Sequence, residues 1–189
     1  MTTILVKGGY VASDSAITDE DNKYVGSIEK VFRLEHGHLY GSCGDGDDRE
    51  LRRLLHPIQS PADIPLVSEL KKIESDIEAV VVFKSGEVWD IVTGENACAF
   101  PVNEPHFAIG SGRYPALSAL DALDRVPSDW SMEKKIRAAM QIACDRDVYS
   151  RAPIRLYKIR AIERPPMTQK QGLDGRKRVG GTILAPRYI

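Results

Sequence analysis

The stretch TTILVKGGYVASD, residues 2–14, decides the fold. Two apolar runs, TILV and YVAS, flank Gly8-Gly9, a dipeptide suited to a two-residue primed turn. With that turn, Lys7 pairs with Tyr10, Val6 with Val11, and so on down to Thr3 with Asp14. A carboxylate therefore arrives at the open end of the hairpin, beside two threonines that directly follow Met1.

Working outward, IEKVFRL (28–34) and HLYGSC (38–43) suit two strands around His36-Gly37. DDRELRRLLH (47–56) reads as a helix with Leu51, Leu54 and Leu55 on one face and Pro57 as its stop. LVSELKKI suggests one short helix. AVVVF and EVWDIV around Ser85-Gly86 make a second clear hairpin, and CAF a further strand. HFAIGSG (106–112) is a strand ending in a glycine turn. Helices are expected over 114–126 and 131–147, the second with Ile136, Ala139, Met140 and Ala143 on one stripe and Ser131 opening it. IRLYKIRAI (154–162) alternates as a last strand. Strands in two groups with helices around them give an α+β protein with antiparallel sheets and helices on their faces.

The bulk numbers bound the function. A chain of 189 residues fits one domain, and 42% hydrophobic with 28% charged residues is ordinary for a soluble protein. A net charge of −1 gives no reason to expect nucleic acid. No run approaches the roughly 20 apolar residues of a membrane span. Residues 1–20 lack the basic start of a signal peptide, so a cytoplasmic location is expected. Cys43, Cys98 and Cys144, odd in number and widely spaced, read as reduced thiols.

Six motifs stand in order: TTILV (2–6), ASDSAIT (12–18), EKVFRL (29–34), YGSCG (40–44), AIGSG (108–112) and RDVYS (146–150). Together they resemble the proteasome β-subunit/HslV-like family of N-terminal nucleophile hydrolases, over about residues 2–162. The resemblance implies a four-layer αββα sandwich of two antiparallel sheets flanked by helices. It implies a self-compartmentalising threonine-type endopeptidase, homo-oligomeric in stacked rings. Polypeptides are its substrates, an AAA+ unfoldase such as an HslU-like ATPase feeds it, and neither membrane nor nucleic acid is a partner.

It also assigns roles. Once Met1 is removed, Thr2 carries both a hydroxyl nucleophile and a free α-amine, which with an ordinary pKa near 8 can act as base. Lys30 favours the neutral amine and stabilises an alkoxide, and Asp14 orients Lys30. Gly41 supplies an oxyanion N–H. Ser111 bonds the threonine amine, and Asp147 and Ser150 stand behind the nucleophile. Thr18, Leu39 and Gly41 fall at substrate positions, Leu39 as the floor of an apolar pocket. No cofactor is required for the chemistry; the carbonyls of Cys144, Asp147 and Ser150 match a monovalent cation site for Na+ or K+. Asp14 follows Thr2 by fewer residues than in the family, but an even loss at the hairpin tip keeps the faces in register.

Two alternatives stay open: a ring subunit that no longer cuts, and an amidase of the same superfamily acting on small amides. Other motifs have plainer readings. GDGDD (44–48) lacks a calcium-loop register and suits helix capping by Asp45 or Asp47. His36-x-His38 suits a strand-end turn. Arg113-Tyr114-Pro115 either reshapes the pocket rim or opens a helix. Residues 163–189 form a basic, Pro- and Gly-containing tail whose end, TILAPRYI, is apolar enough to dock.

Overall fold

The structure, a computed structural model, describes residues 2–18, 23–44 and 47–159. Strands β1 (Thr3–Lys7) and β2 (Tyr10–Ser13) pair in the expected register, from Lys7 opposite Tyr10 to Ile4 opposite Ser13. Gly8 and Gly9 turn at φ of 54° and 77°, the left-handed region that this tight turn requires of both central residues. Asp14 N–H donates to the Thr3 carbonyl at 3.2 Å, which carries the pairing to the end of the arm.

The hairpin sits at the centre of a four-stranded antiparallel sheet. Its neighbours are β10 (His106–Gly110) against β1 and β11 (Arg155–Lys158) against β2. A second, five-stranded sheet runs in sequence order: β5 (Val31–Arg33), β6 (Leu39–Gly44), β7 (Ile77–Val82), β8 (Val88–Val92) and β9 (Cys98–Val102). The period of two along each strand separates three cores. Ile4, Val6 and Ile109 of the first sheet meet Val31, Leu39, Val80 and Val82 of the second, so the sheets pack face to face. Leu5, Ala12 and Ala108, on the other side of the first sheet, meet α3 (Arg113–Arg125) and α4 (Met132–Arg146) through Ala116, Leu120, Ile136, Ala139 and Met140. Tyr40, Ala79, Val81 and Ile91 line the outer face of the second sheet. There they meet Leu51 and Leu55 of α1 (Arg49–Leu55) and Leu70 of α2 (Val67–Leu70). The layers are thus helix, sheet, sheet, helix.

The structure differs from the sequence reading in places. Ile28–Lys30 are not strand: only Val31–Arg33 of IEKVFRL pairs, because Ile28 N–H is drawn to the Ser15 carbonyl at 2.9 Å. A separate small sheet, β3 (Ala16–Thr18) with β4 (Tyr24–Ser27), had no alternating signal, since Ile17, Tyr24 and Val25 are exposed. The last strand ends at Lys158, and residues 160–162 lie outside the described residues. So do Met1, Asp45 and the tail 163–189. Ser131 caps its helix as expected, accepting the Lys134 N–H at 3.3 Å, whereas the N-cap of α1 is Asp48 without a side-chain cap bond, and Asp47 before it accepts the Arg49 N–H at 3.0 Å. His38 is consumed by its turn: Nδ1 accepts the Lys84 N–H at 3.0 Å, leaving Nε2 to donate to the Gln59 carbonyl at 3.2 Å. All three cysteines are free. No helix among the described residues is long and apolar enough to cross a membrane.

Candidate active site

The alternation of β1 divides the two threonines. Ile4 and Val6 face the gap between the sheets and Leu5 faces the helices. By the same period Thr2 belongs to the gap side and Thr3 to the helix side. Thr2 lines a groove of about 480 Å³, inside the range of about 300–1,000 Å³ usual for ligand sites. Thr18, Lys30 and Cys43 share that groove.

Lys30 and Asp14 form the charged centre. Lys30 Nζ lies 3.0 Å from both Asp14 oxygens, and the two side chains are 7% and 0% exposed. Burial pushes the Lys30 ammonium below its ordinary pKa, and the Asp14 charge and hydrogen bonds pull the other way. Asp14 is held in turn by three backbone donors: Thr3 N–H at 2.8 Å, Ala16 N–H at 2.9 Å and Arg151 N–H at 3.4 Å. The lysine is therefore aimed by a carboxylate held from several sides, in the groove that Thr2 also lines.

Strand β10 delivers the rest. Thr3 stands opposite Gly110, and Ser111 N–H donates to the Thr2 carbonyl at 3.0 Å. A Cβ on Gly110, whose φ is 88°, would fall 1.8 Å from that carbonyl oxygen, so only glycine lets the strand end close over Thr2. Ser111 Oγ donates to Asp147 Oδ2 at 2.7 Å, and Ser150 Oγ donates to the same oxygen at 2.5 Å. Thr3 Oγ1 sits 2.6 Å from Ser150 Oγ and accepts the Gly112 N–H at 3.0 Å. Sequence reasoning missed this use of Thr3, which at a strand start looks like any buried threonine.

Leu39 is corrected. It is 1% exposed, packs in the inter-sheet core and does not line the groove. The apolar wall is instead Ile17, Ile28, Phe32 and Ile77. Gly41 does not line the groove either: a Cβ there would meet Ile4 Cδ1 at 2.8 Å, so close packing on β1 accounts for the glycine. Arg113 also stays off the groove wall and pairs with Glu78 at 3.4 Å. The rim charges pair among themselves. Arg49 holds Asp47, Ser42 Oγ donates to Asp48 at 2.7 Å, and the Arg52 guanidinium lies over the Phe32 ring at 4.2 Å.

Of the carbonyls assigned to a cation, that of Asp147 accepts Ser150 N–H at 3.2 Å and closes its own turn. That bond uses one of the two lone pairs of the oxygen, and no step below uses an ion. Among the described residues no group of three or more His, Cys, Asp or Glu side chains could hold a metal ion.

No protein-family model matches the chain. Solved structures do. Eukaryotic HslV from Trypanosoma brucei is 27% identical with a TM-score of 0.66, over 82% of this chain and 98% of that one. Thiobacillus denitrificans BPH shares the fold at 20% identity and a TM-score of 0.59, over 82% and 95% of the two chains. The same protein in complex with epoxomicin gives 19% and 0.61, over 82% and 96%. The chain thus has the fold of HslV and of the proteasome-like BPH, and it is similar in sequence to the first.

Proposed function

We propose that the chain is the subunit of a threonine-type peptidase, with Thr2 as N-terminal nucleophile after loss of Met1. The observation that carries this is the placement of Thr2 in a groove beside the buried Lys30–Asp14 pair, with its own carbonyl clamped by Ser111. Thr2 Oγ attacks the substrate carbonyl while the α-amine takes its proton. Lys30 stabilises the developing alkoxide. Collapse breaks the C–N bond, the α-ammonium returns the proton to the leaving amine, and a water then hydrolyses the Thr2 ester. The apolar wall and self-paired rim charges favour apolar side chains in the groove. The proposal extends to a cytoplasmic protein in homo-oligomeric stacked rings, fed with polypeptides by an ATP-dependent unfoldase, as the resemblance of its motifs implies.

The test is Thr2→Ala in a protein whose intact mass shows methionine gone from the wild type. Cleavage of apolar fluorogenic peptides should vanish while the assembly persists. Turnover equal to wild type would remove the mechanism.

A further inference from the structure

The helix side of β1 carries a hydrogen-bond chain whose direction is fixed by its end. A carboxylate only accepts, so Ser111 and Ser150 each spend their one hydroxyl proton on Asp147 Oδ2. Ser150 Oγ has no proton left for Thr3, so across their 2.6 Å contact the Thr3 hydroxyl is the donor. Thr3 Oγ1 at the same time accepts from Gly112 N–H at 3.0 Å. The Thr3 hydroxyl thus both donates and accepts, and Thr3 is 0% exposed.

Two consequences meet at Ser111. Its hydroxyl proton is committed to Asp147, so toward Thr2 its oxygen can only accept. An α-amine that gives one N–H to such an acceptor keeps its lone pair for the nucleophile's proton. The backbone around Ser111 is tied on three successive residues: Gly110 pairs with Thr3, Ser111 N–H holds the Thr2 carbonyl, and Gly112 N–H holds the Thr3 hydroxyl. The last tie is the one that a side chain supplies.

We propose that Thr3 is a positioning residue for the Thr2 nucleophile: its hydroxyl pins Gly112 and Ser150 at once and so fixes Ser111 as an acceptor beside the Thr2 α-amine. The proposal rests on the threonine-peptidase reading and goes beyond it in giving the second threonine a task that buried packing does not require.

The test uses full-length processed protein, its Thr2 N-terminus verified by intact mass. Thr3→Val keeps the shape and removes the hydroxyl; Thr3→Ala is the second variant if Thr3→Val does not fold. Turnover of an apolar fluorogenic peptide should fall about tenfold or more with KM little changed, on the scale of a misplaced proton-transfer group. Thr3→Ser should recover most of that loss. Combined with Ser111→Ala, Thr3→Val should add little further loss, because both act through one group. The pH dependence of α-amine acylation, read by mass spectrometry, should move to lower pH in Thr3→Val, since an acceptor that favours the ammonium is misplaced. Losses that add in full with Ser111→Ala, or an amine titration identical to wild type, would overturn the proposal. If processed wild type does not cleave peptide, the peptidase reading falls by itself. The amine titration still judges Thr3: a shift upholds the clamp and coincidence sinks it.

Discussion

Two buried carboxylates, Asp14 and Asp90, stand in opposite conditions. Asp14 is 0% exposed and takes three backbone N–H groups and both contacts of Lys30. Asp90, on β8, is 6% exposed and one of its oxygens finds no hydrogen-bond partner. Burial, with Glu78 nearby, pushes the Asp90 carboxyl up to about 6, against the Ile91 N–H and, less, Arg113. Burial by itself therefore marks nothing. What distinguishes the site is a carboxylate supplied with donors from four different segments, so that its charge is fixed in place and can hold a lysine in turn.

Breaking the first partner should have the largest effect. Asp14→Asn removes the carboxylate that the buried Lys30 ammonium contacts at 3.0 Å, and loss of one member of a buried pair costs about 3–5 kcal/mol. Urea unfolding should show that loss, and peptide cleavage should be absent. An Asp14→Asn variant as stable as wild type would mean that the pair is not buried in solution as the structure has it.

Removing the cation should leave more standing. In Lys30→Met, Asp14 keeps its three backbone donors, so stability should fall less than in Asp14→Asn. Turnover should nonetheless drop by roughly a hundredfold or more, the scale of a lost electrostatic stabiliser. In the wild type, activity that needs the ammonium should decline on the alkaline side before pH 10.5, because burial lowers the Lys30 pKa from that value. Kinetics that are flat to pH 10.5 would contradict this.

Asp90→Asn sharpens the contrast with the smallest change and the opposite sign. Folded Asp90 holds its proton up to about pH 6, whereas the unfolded group releases it near 3.8. Between those values the folded state binds more protons, so this group's contribution to stability falls as pH rises through that window. The amide removes the penalty. Its Tm should exceed that of wild type by a few degrees at pH 7, and the gain should shrink toward zero at about pH 4. A Tm gain that is the same at both pH values would show that the carboxyl's ionisation is not its source.

How much of this the sequence carried can be seen along β1. Gly8-Gly9 dictates the turn, the turn dictates the register, and the register brings Asp14 beside Thr3. Lys30 and Ser111 came from motif order, and the structure brings both to Thr2. The groove wall did not come through. Leu39 stands on a strand face, and whether that face looks into a core or a groove depends on the opposing sheet, which no local pattern encodes. Ile28 lines the groove from outside the ladder, its N–H bonded to the Ser15 carbonyl, and Phe32 lines it from within β5. The β3–β4 sheet was hidden because its apolar residues face outward, the reverse of the pattern that identifies a strand.

The two glycines that flank Ser111 have a consequence for mutational scanning. A Cβ on Gly110 would fall 1.8 Å from the Thr2 carbonyl oxygen, and one on Gly112 would fall 2.2 Å from Thr3 Oγ1. Substitutions there displace the strand that carries the nucleophile, so they should be depleted in a selection for soluble, folded protein. Ser111 meets no such backbone limit, and its substitutions should survive that selection and fail only one for cleavage. Three adjacent positions, equally invariant in an activity screen, would thus separate into two classes under an abundance screen, with steric exclusion on the outside and chemistry in the middle.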